Sequence, residues 1–253
     1  ARLTQALNIP TLSAATGQDP IAEIHGNNIG VGYNLGVLYK INDNSRIGLD
    51  YHSRIRHNIY GAQKISVPAL YSALSPDTAA LLSSFNGSST TNITLPDSLS
   101  LGLYQQLTPQ LALVGTVEWT HWALFQSLVT TVDQGSIPGA TINENWRNTW
   151  FAGVGANYQV NDKLMLQTGF SFDESPVTDS NRTTRIPDSN RYNIGFGAQY
   201  KVLPSTTLQF AYLHLFSPGT HTIDNSASSS AGTLTGSYNL SDNSVTAGID
   251  VKF

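Results

Sequence analysis

The sequence of 253 residues contains no cysteine and few charged residues. Without cysteine there is no disulfide, no thiolate nucleophile and no thiolate metal ligand. Charged residues make up only 12% of the chain, against the roughly 25% that is usual in soluble proteins. The net charge of −4 gives no reason to expect a nucleic-acid partner.

Long apolar runs are also absent, although hydrophobic residues make up 40% of the chain and exclude a disordered protein. A transmembrane helix would need about 18 consecutive apolar residues. A membrane location would therefore require a closed β-barrel, because lipid leaves unpaired backbone groups unsatisfied. No signal peptide is visible, and Ala1 begins directly in a polar segment. We expect the chain to be processed or incomplete at its N terminus.

Apolar residues alternate with small or polar residues in several long segments. Near the C terminus one face carries Val245, Ala247, Ile249 and Val251, and the other carries Thr246, Gly248, Asp250 and Lys252. The same alternation runs through 29–41, 46–59, 146–160 and 191–202. Period two over ten or more residues is typical of strands. These segments exceed the usual strand length of about 5–6 residues and fit the roughly 9–11 residues of a membrane-spanning strand.

The pattern predicts about nine strands, with bounds uncertain by about 2–4 residues. They are 28–41, 45–60, 90–107, 110–131, 144–160, 163–174, 190–202, 206–220 and 232–253. Short links alternate with long ones, of which 61–89 is the longest, as short periplasmic turns alternate with long extracellular loops in outer-membrane barrels. We therefore predict an all-β fold, an antiparallel transmembrane β-barrel of outer-membrane type.

Two regions follow from this prediction. Residues 1–27 are interpreted as the remnant of an extracellular loop without a strand, and residues 28–253 as the C-terminal barrel portion. Bacterial single-chain barrels have an even number of strands, so we expect that an N-terminal portion is missing. The alternative is a miscounted segment, of which 90–107 is the weakest because Pro96 interrupts it. With strands missing, the first and last strands should stay unpaired as edges of an open sheet, or else pair with each other in a smaller barrel, and we favour the open sheet.

Six segments resemble the FadL family of outer-membrane transporters for long-chain fatty acids and other hydrophobic molecules. The segment at 173–177 followed by the one at 186–188 is the most specific match. The segments are 32–39, 46–54, 119–122 with Phe125, 172–177, 181–183, and 186–188 with Arg191. The resemblance implies a fourteen-stranded barrel plugged by an N-terminal hatch, of which this chain matches only the C-terminal part.

The resemblance also implies a function in the bacterial outer membrane. That function is uptake of hydrophobic compounds such as long-chain fatty acids, by loop capture and passive diffusion. It implies a hydrophobic small molecule and outer-membrane lipid as partners, a monomer, no cofactor, no metal and no enzymatic activity. Alternatives are an outer-membrane esterase or phospholipase, and a soluble lipocalin-like binding barrel.

The loop 61–89 is unusually apolar for an extracellular loop, and exposed apolar patches often mark binding sites. Ser75 followed by Pro76 predicts the start of a helix within it. The predicted ligand-binding residues of this loop are Leu70, Tyr71, Leu74, Leu81, Leu82 and Phe85. By the family resemblance, residues 1–27 match a second capture loop. The alternative is that these apolar residues only pack the two loops together.

Arg147 is predicted on the lumen face by its parity with the following strand. The resemblance places a basic residue there near the fatty-acid carboxylate, and an arginine fork suits a carboxylate. The alternative is an ion pair with a barrel acid such as Glu118. A charged row from Asp50 to Arg56 is expected to form lumen salt bridges instead of a catalytic centre, since the sequence has no Gly-x-Ser-x-Gly and no His-Glu-x-x-His motif.

Overall fold

The computed structural model describes residues 2–7, 9–132, 141–183, 186–224 and 235–252. Within these ranges the chain forms a nine-stranded sheet, a six-stranded sheet and a two-stranded ribbon, all antiparallel. No helix in the same ranges combines the length and apolar character needed to cross a membrane.

The nine-stranded sheet carries the long alternating segments. Its strands are β3 (Asn34–Lys40), β4 (Ser45–His52), β7 (Ser98–Gln106), β8 (Leu111–Thr120), β11 (Thr149–Gln159), β12 (Leu164–Asp173), β13 (Arg191–Leu203), β14 (Thr206–Phe216) and β17 (Ser241–Val251). Their order is β17-β14-β13-β12-β11-β8-β7-β4-β3. Chain neighbours are therefore mostly sheet neighbours, as in an up-and-down barrel wall.

The six-stranded sheet and the helices are formed by segments outside the nine-stranded sheet. Its strands are β1 (Arg2–Ala6), β2 (Ile21–Asn27), β5 (Ile55–Ser66), β6 (Gly87–Leu95), β9 (Ser127–Val132) and β10 (Thr141–Asn143), in the order β1-β2-β5-β6-β9-β10. The ribbon pairs β15 (His221–Asp224) with β16 (Thr235–Tyr238). The helices are α1 (Pro10–Thr16), α2 (Ala69–Leu74) and α3 (Pro76–Ser84), with 3-10 turns at Trp122–Leu124 and Asp179–Asn181.

The predicted number of membrane-type strands is confirmed, but three of the predicted strands break in two. Segment 45–60 divides at Ser53–Arg54, 90–107 at Pro96–Asp97, and 110–131 at the 3-10 turn. Pro96 breaks its strand because it has no N–H to donate to the ladder. Each broken strand continues into the six-stranded sheet. The prediction that 1–27 contains no strand is wrong, because β2 pairs with β5 over residues 60–66.

Asp97 holds the three breaks together and is almost fully buried. Its Oδ1 lies 3.3 Å from Arg54 Nη2 and 3.2 Å from His121 Nδ1, and its backbone oxygen accepts the His121 N–H at 3.0 Å. A second predicted lumen contact, between Asp50 and His52, is present at 2.6 Å. Of the predicted charged row, Arg54 forms an ion pair with Asp97, and Asp50 contacts His52.

The other predicted bounds are corrected by a few residues. Strand 28–41 begins at Asn34, strand 144–160 begins at Thr149 and strand 206–220 ends at Phe216. Strand 232–253 resolves into β16 and β17, and parts of the links 132–143, 175–189 and 221–232 lie outside the described residues, as does Phe253. Strands 163–174 and 190–202 agree to within one residue.

The two faces of the nine-stranded sheet differ in chemistry. One row runs through Leu103, Gly115, Val154, Phe170 and Ile194, which lie directly opposite one another across five strands. Large apolar side chains on this face are exposed, with Val154 at 66%. A soluble lipocalin-like barrel would bury such side chains, whereas an apolar outward face suits lipid. The opposite face carries glycine and polar residues and is the lumen side.

Two of the short connections are closed by the same kind of hydrogen bond. The Asn161 side chain accepts from the backbone N–H groups of Lys163 and Leu164, and Asn42 accepts from Asn44 in the same way. Side chains that bond to the backbone two residues on favour tight turns. These turns lie at one end of the sheet, which the short-turn rule identifies as periplasmic. The six-stranded sheet and the helices consequently mark the extracellular end.

The nine-stranded sheet is open. Strands β3 and β17 are its two edges, and in the described part of the chain neither pairs with the other. The predicted open sheet is confirmed.

Candidate functional site

The two apolar extracellular segments predicted to face each other are joined in the structure. Helix α1 has Pro10 in its first turn and ends at Gly17, whose φ of 65° lies in the left-handed region that favours glycine. Ser13 on α1 accepts the Ile9 N–H at 3.0 Å, and its hydroxyl lies 2.7 Å from the hydroxyl of Tyr71 on α2. The segments 1–27 and 61–89 therefore form one assembly.

Helices α2 and α3 are anchored to the strands on either side. Pro76 begins α3 as predicted, and the Ser75 hydroxyl donates to Thr78 Oγ1 at 2.7 Å. At the other end of α3, the Gln63 amide donates to the Phe85 carbonyl at 3.0 Å, and the Asn86 side chain accepts from the Ile65 N–H. Both contacts lead back to β5, so the helix pair sits on the extracellular sheet at two defined points.

The six predicted ligand-binding residues of this loop fall into three groups. Leu70, Leu74 and Leu81 are exposed, Leu81 at 60%. Leu82 and Phe85 are half-buried. Tyr71 has no exposed surface, so the structure gives it a packing role between α1 and α2. The predicted alternative of loop packing thus applies to Tyr71.

We name the remaining five residues the apolar helical patch: Leu70, Leu74, Leu81, Leu82 and Phe85. Leu70 and Leu74 are four residues apart on α2 and therefore share one side of that helix. Exposed leucines held on an anchored helix pair are unusual for a surface in water and typical of a binding surface.

Arg147 lies in the segment that leads into the extracellular end of β11. Its Nη2 is 3.1 Å from Glu174 Oε1, and half of the Arg147 side chain is exposed. Its backbone N–H donates to the Pro176 carbonyl at 3.1 Å. The expected alternative of an ion pair with an acid is present, but the partner is Glu174 and the predicted partner Glu118 is wrong. Glu118 instead accepts from the hydroxyls of Ser100 and Thr120.

Glycines form a shallow channel on the lumen face, which we name the lumen trough. It has a volume of about 590 Å³. Its lumen-facing glycines are Gly153, Gly155, Gly169, Gly195 and Gly197. Because glycine has no side chain, the backbone itself is the floor. This trough was not predicted from the sequence, although the alternating glycines of β11 and β13 are a signal that could have located it.

Polar side chains along the trough bond to one another. The Gln167 amide donates to Asn157 Oδ1 at 3.1 Å and accepts from the Gln199 amide at 3.2 Å. The Asn193 amide donates to the Ser171 hydroxyl at 3.0 Å. Polar groups that bond to each other lower the cost of bringing an apolar molecule beside them.

Two arginines tie together the extracellular rim next to the trough. Arg191 contacts Asp173 and lies 2.8 Å from Asp188. Arg182 is 4% exposed, and donates to the backbone oxygens of Asp188 at 2.9 Å and Thr222 at 3.0 Å. These contacts connect the link after β12 to β13 and to β15.

A serine–histidine contact is the feature closest to hydrolase chemistry. Ser217 Oγ lies 2.7 Å from His221 Nε2. The same hydroxyl accepts from the Ser189 hydroxyl and donates to the Asn190 carbonyl, and Ser217 is buried. A nucleophile must reach its substrate, so this arrangement is structural.

Comparison with known proteins agrees with this geometry. The family model described as "Outer membrane protein transport protein (OMPP1/FadL/TodX)" matches residues 3–253. An outer-membrane protein of Neisseria meningitidis serogroup B is 31% identical over 209 residues, covering 78% of this chain and 44% of the relative. The long-chain fatty acid transport protein of Salmonella typhi is 28% identical over 198 residues, covering 76% and 45%.

Solved structures show the same fold. A Pseudomonas aeruginosa FadL homologue superposes with a TM-score of 0.81 at 25% identity, covering 98% of this chain and 60% of that one. The Ralstonia pickettii toluene transporter TbuX has a TM-score of 0.57 at 18% identity, covering 98% and 55%, and supports the fold alone. The chain spans about half the length of the curated relatives it matches.

Proposed function

This chain belongs to the family of outer-membrane transport proteins that includes FadL and TodX, and is a bacterial outer-membrane protein; we propose that the full protein takes up hydrophobic compounds such as long-chain fatty acids. Uptake proceeds by capture at the apolar helical patch, passage along the lumen trough and passive release. The transporter acts as a monomer and needs no cofactor.

Capture is supported by the exposure of Leu70, Leu74 and Leu81 at the extracellular end. Transfer of apolar surface out of water favours binding by roughly 25 cal/mol per Å² of buried area. An acyl chain or an aromatic ring laid across the patch would gain this free energy. The Gln63 and Asn86 contacts fix the segment just after α3, the helix that carries Leu81.

Head-group recognition is assigned to Arg147. Its guanidinium has five N–H donors, and the contact with Glu174 leaves donors for a second acceptor. Because half of the side chain is exposed, a ligand carboxylate could approach without unfolding the rim. Glu174 competes for the same cation, so it should weaken binding of anions relative to neutral ligands.

Passage is assigned to the lumen trough because its floor is backbone and its polar side chains bond to one another. A hydrophobic molecule can therefore move along it without breaking strong contacts. No step in this scheme consumes energy, so the concentration gradient sets the direction of net flow.

One observation carries the proposal: exposed leucines stand on anchored helices at the extracellular end of a membrane-type sheet. The test is uptake of a fluorescent long-chain fatty acid into vesicles that contain the full-length protein. We expect saturable uptake above that of protein-free vesicles. Uptake equal to that of empty vesicles would reject the proposal.

A further inference from the structure

The lipid-facing side of the nine-stranded sheet contains a groove that the transport scheme does not use. Its volume is about 660 Å³. Eleven residues line it, of which Val114, Gly155 and Gly169 have lumen parity. The other eight are the wall residues Leu103, Leu113, Val154, Phe170 and Ile194 and the floor residues Gly115, Ala156 and Thr168. These eight residues share the outward parity of β7, β8, β11, β12 and β13. We name it the outer groove.

The pairing register explains why the surface is low at this point. Gly115 lies between Leu103 and Val154 in one row and contributes no side chain. In the next row, Ala156 pairs with Thr168, so two small residues extend the depression. The Thr168 hydroxyl donates to the Gly195 carbonyl at 3.2 Å, so this polar group is already bonded.

The outer groove is separate from the lumen trough, although the two lie on opposite sides of one wall. Backbone pairing between β8 and β11 continues without a break from Thr120 to Leu111, and pairing between β11 and β12 is equally continuous. A closed ladder leaves no passage for a solute between strands. The outer groove is therefore a surface site and not a side exit.

The depth of the outer groove restricts what can fill it. Gly115 is the fifth of the ten residues of β8, which places it near mid-height of a spanning strand. At that depth the surroundings are hydrocarbon, and head groups lie beyond reach. No charged residue is among the eleven that line it. The groove is continuous with the exposed apolar face that meets the bilayer.

We propose that the outer groove binds one acyl chain of an outer-membrane phospholipid. A linear chain fits over Gly115, Ala156 and Thr168, with Leu103 and Leu113 on one side and Val154 and Phe170 on the other. Such a lipid remains with the protein when the surrounding bilayer lipids exchange. The proposal rests on the outward face of the sheet and is independent of the transported substrate.

The test uses the full-length protein in vesicles with a phospholipid that carries a photoreactive diazirine in the middle of one acyl chain. After illumination, mass spectrometry maps the labelled peptides. We expect adducts concentrated on the residues of the outer groove. Gly115→Leu should reduce these adducts several-fold, because it fills the floor. A Cβ at Gly115 meets only the Gly153 carbonyl oxygen, at an ordinary 3.8 Å, so the backbone leaves room for a side chain to begin there.

Ala247→Leu is the matched control. Ala247 has the same outward parity on β17 and is exposed, but it lies outside the outer groove. Its adduct pattern at the groove should equal that of the wild type. If Gly115→Leu folds poorly, Val154→Ala, which removes a wall without adding volume, should reduce the adducts instead.

Three outcomes would overturn the proposal. Adducts spread evenly over the outward face would show that the groove holds no particular lipid. Loss of the groove adducts on addition of excess unlabelled fatty acid would assign the groove to the transported ligand. Protein–protein crosslinks at Gly115 in place of lipid adducts would assign it to a second copy of the chain.

Discussion

The hydroxyls of Ser13 and Tyr71 lie 2.7 Å apart although 58 residues separate them in the sequence. This hydrogen bond links the N-terminal extracellular segment to the loop that carries the apolar helical patch. Tyr71 is fully buried, so its aromatic ring adds packing to the same connection. The position of the patch relative to α1 therefore depends on this pair.

Replacement of Tyr71 by Phe should loosen that connection without changing the barrel. The variant loses one partly buried hydrogen bond, which contributes about 0.5–1.5 kcal/mol. Hydrogen exchange should become faster in α1 and α2 and stay unchanged in β11 to β14. Ser13→Ala should have a larger effect, because it also removes the acceptor of the Ile9 N–H, and the double variant should add little to Ser13→Ala. Additive effects of the two changes would show that the pair does not act as a unit.

Conversion of Leu70, Leu74 and Leu81 to Ser should weaken capture of a fluorescent fatty acid at the cell surface. Each residue is exposed, so barrel assembly should be unaffected, while each buried methylene lost from the complex costs about 0.8 kcal/mol. Equilibrium titration of the full protein measures the affinity. Ala73→Ser with Ala80→Ser is the control, because both residues are exposed on the same helices but carry little apolar surface. An unchanged affinity in the triple variant would remove the patch from the capture step.

Arg147 and Glu174 should act in opposite directions on head-group preference. Arg147→Ala should weaken binding of a fatty acid more than binding of its methyl ester. Glu174→Gln should strengthen binding of the acid, because it removes the acid that competes for the guanidinium at 3.1 Å. Since a partly exposed ion pair contributes about 0–1 kcal/mol, neither change should alter stability much. If the affinities for the acid and the ester change equally in both variants, Arg147 stabilises the extracellular rim and does not bind the ligand.

The two faces of the sheet should respond differently to a charge. Val154→Arg places a cation on the outward face near mid-height, where the cost is about 2–4 kcal/mol. Gly195→Arg lies on the lumen face, and a Cβ there meets Leu213 at an ordinary 3.6 Å, so the cost should be much smaller. Urea unfolding of the full protein in lipid vesicles compares the two. Equal losses of unfolding free energy would contradict the assignment of the faces.

Much of the fold follows from local chemistry that a sequence displays. Alternation identifies the spanning strands, Pro96 marks one break, and Pro76 begins a helix. The break at Ser53–Arg54 carries no proline or glycine. It depends on distant partners, because the Ser53 hydroxyl accepts from the Tyr33 N–H and Arg54 contacts Asp97.

The site was less predictable than the fold because its decisive contacts join distant segments. Parity suggested Glu118 as a neighbour of Arg147, but the chain leaves the strand before Thr149 and turns the guanidinium toward Glu174. The burial of Tyr71 depends on α1, which periodicity did not reveal in 1–27. Composition alone does not distinguish a buried apolar residue from an exposed one in a loop.

The lumen trough gives the most direct test of the passage step. Gly195→Leu should place a side chain in the trough and slow uptake of a fluorescent fatty acid into vesicles, while surface capture stays at the wild-type level. Capture should persist because the apolar helical patch is untouched, so the change should appear in the rate and not in the affinity. Gly248→Leu is the matched control, because Gly248 also faces the lumen but lies outside the trough, and a Cβ there meets Gln209 only at 3.9 Å. Uptake that is unaffected by Gly195→Leu, or reduced equally by Gly248→Leu, would show that hydrophobic molecules do not travel along these glycines.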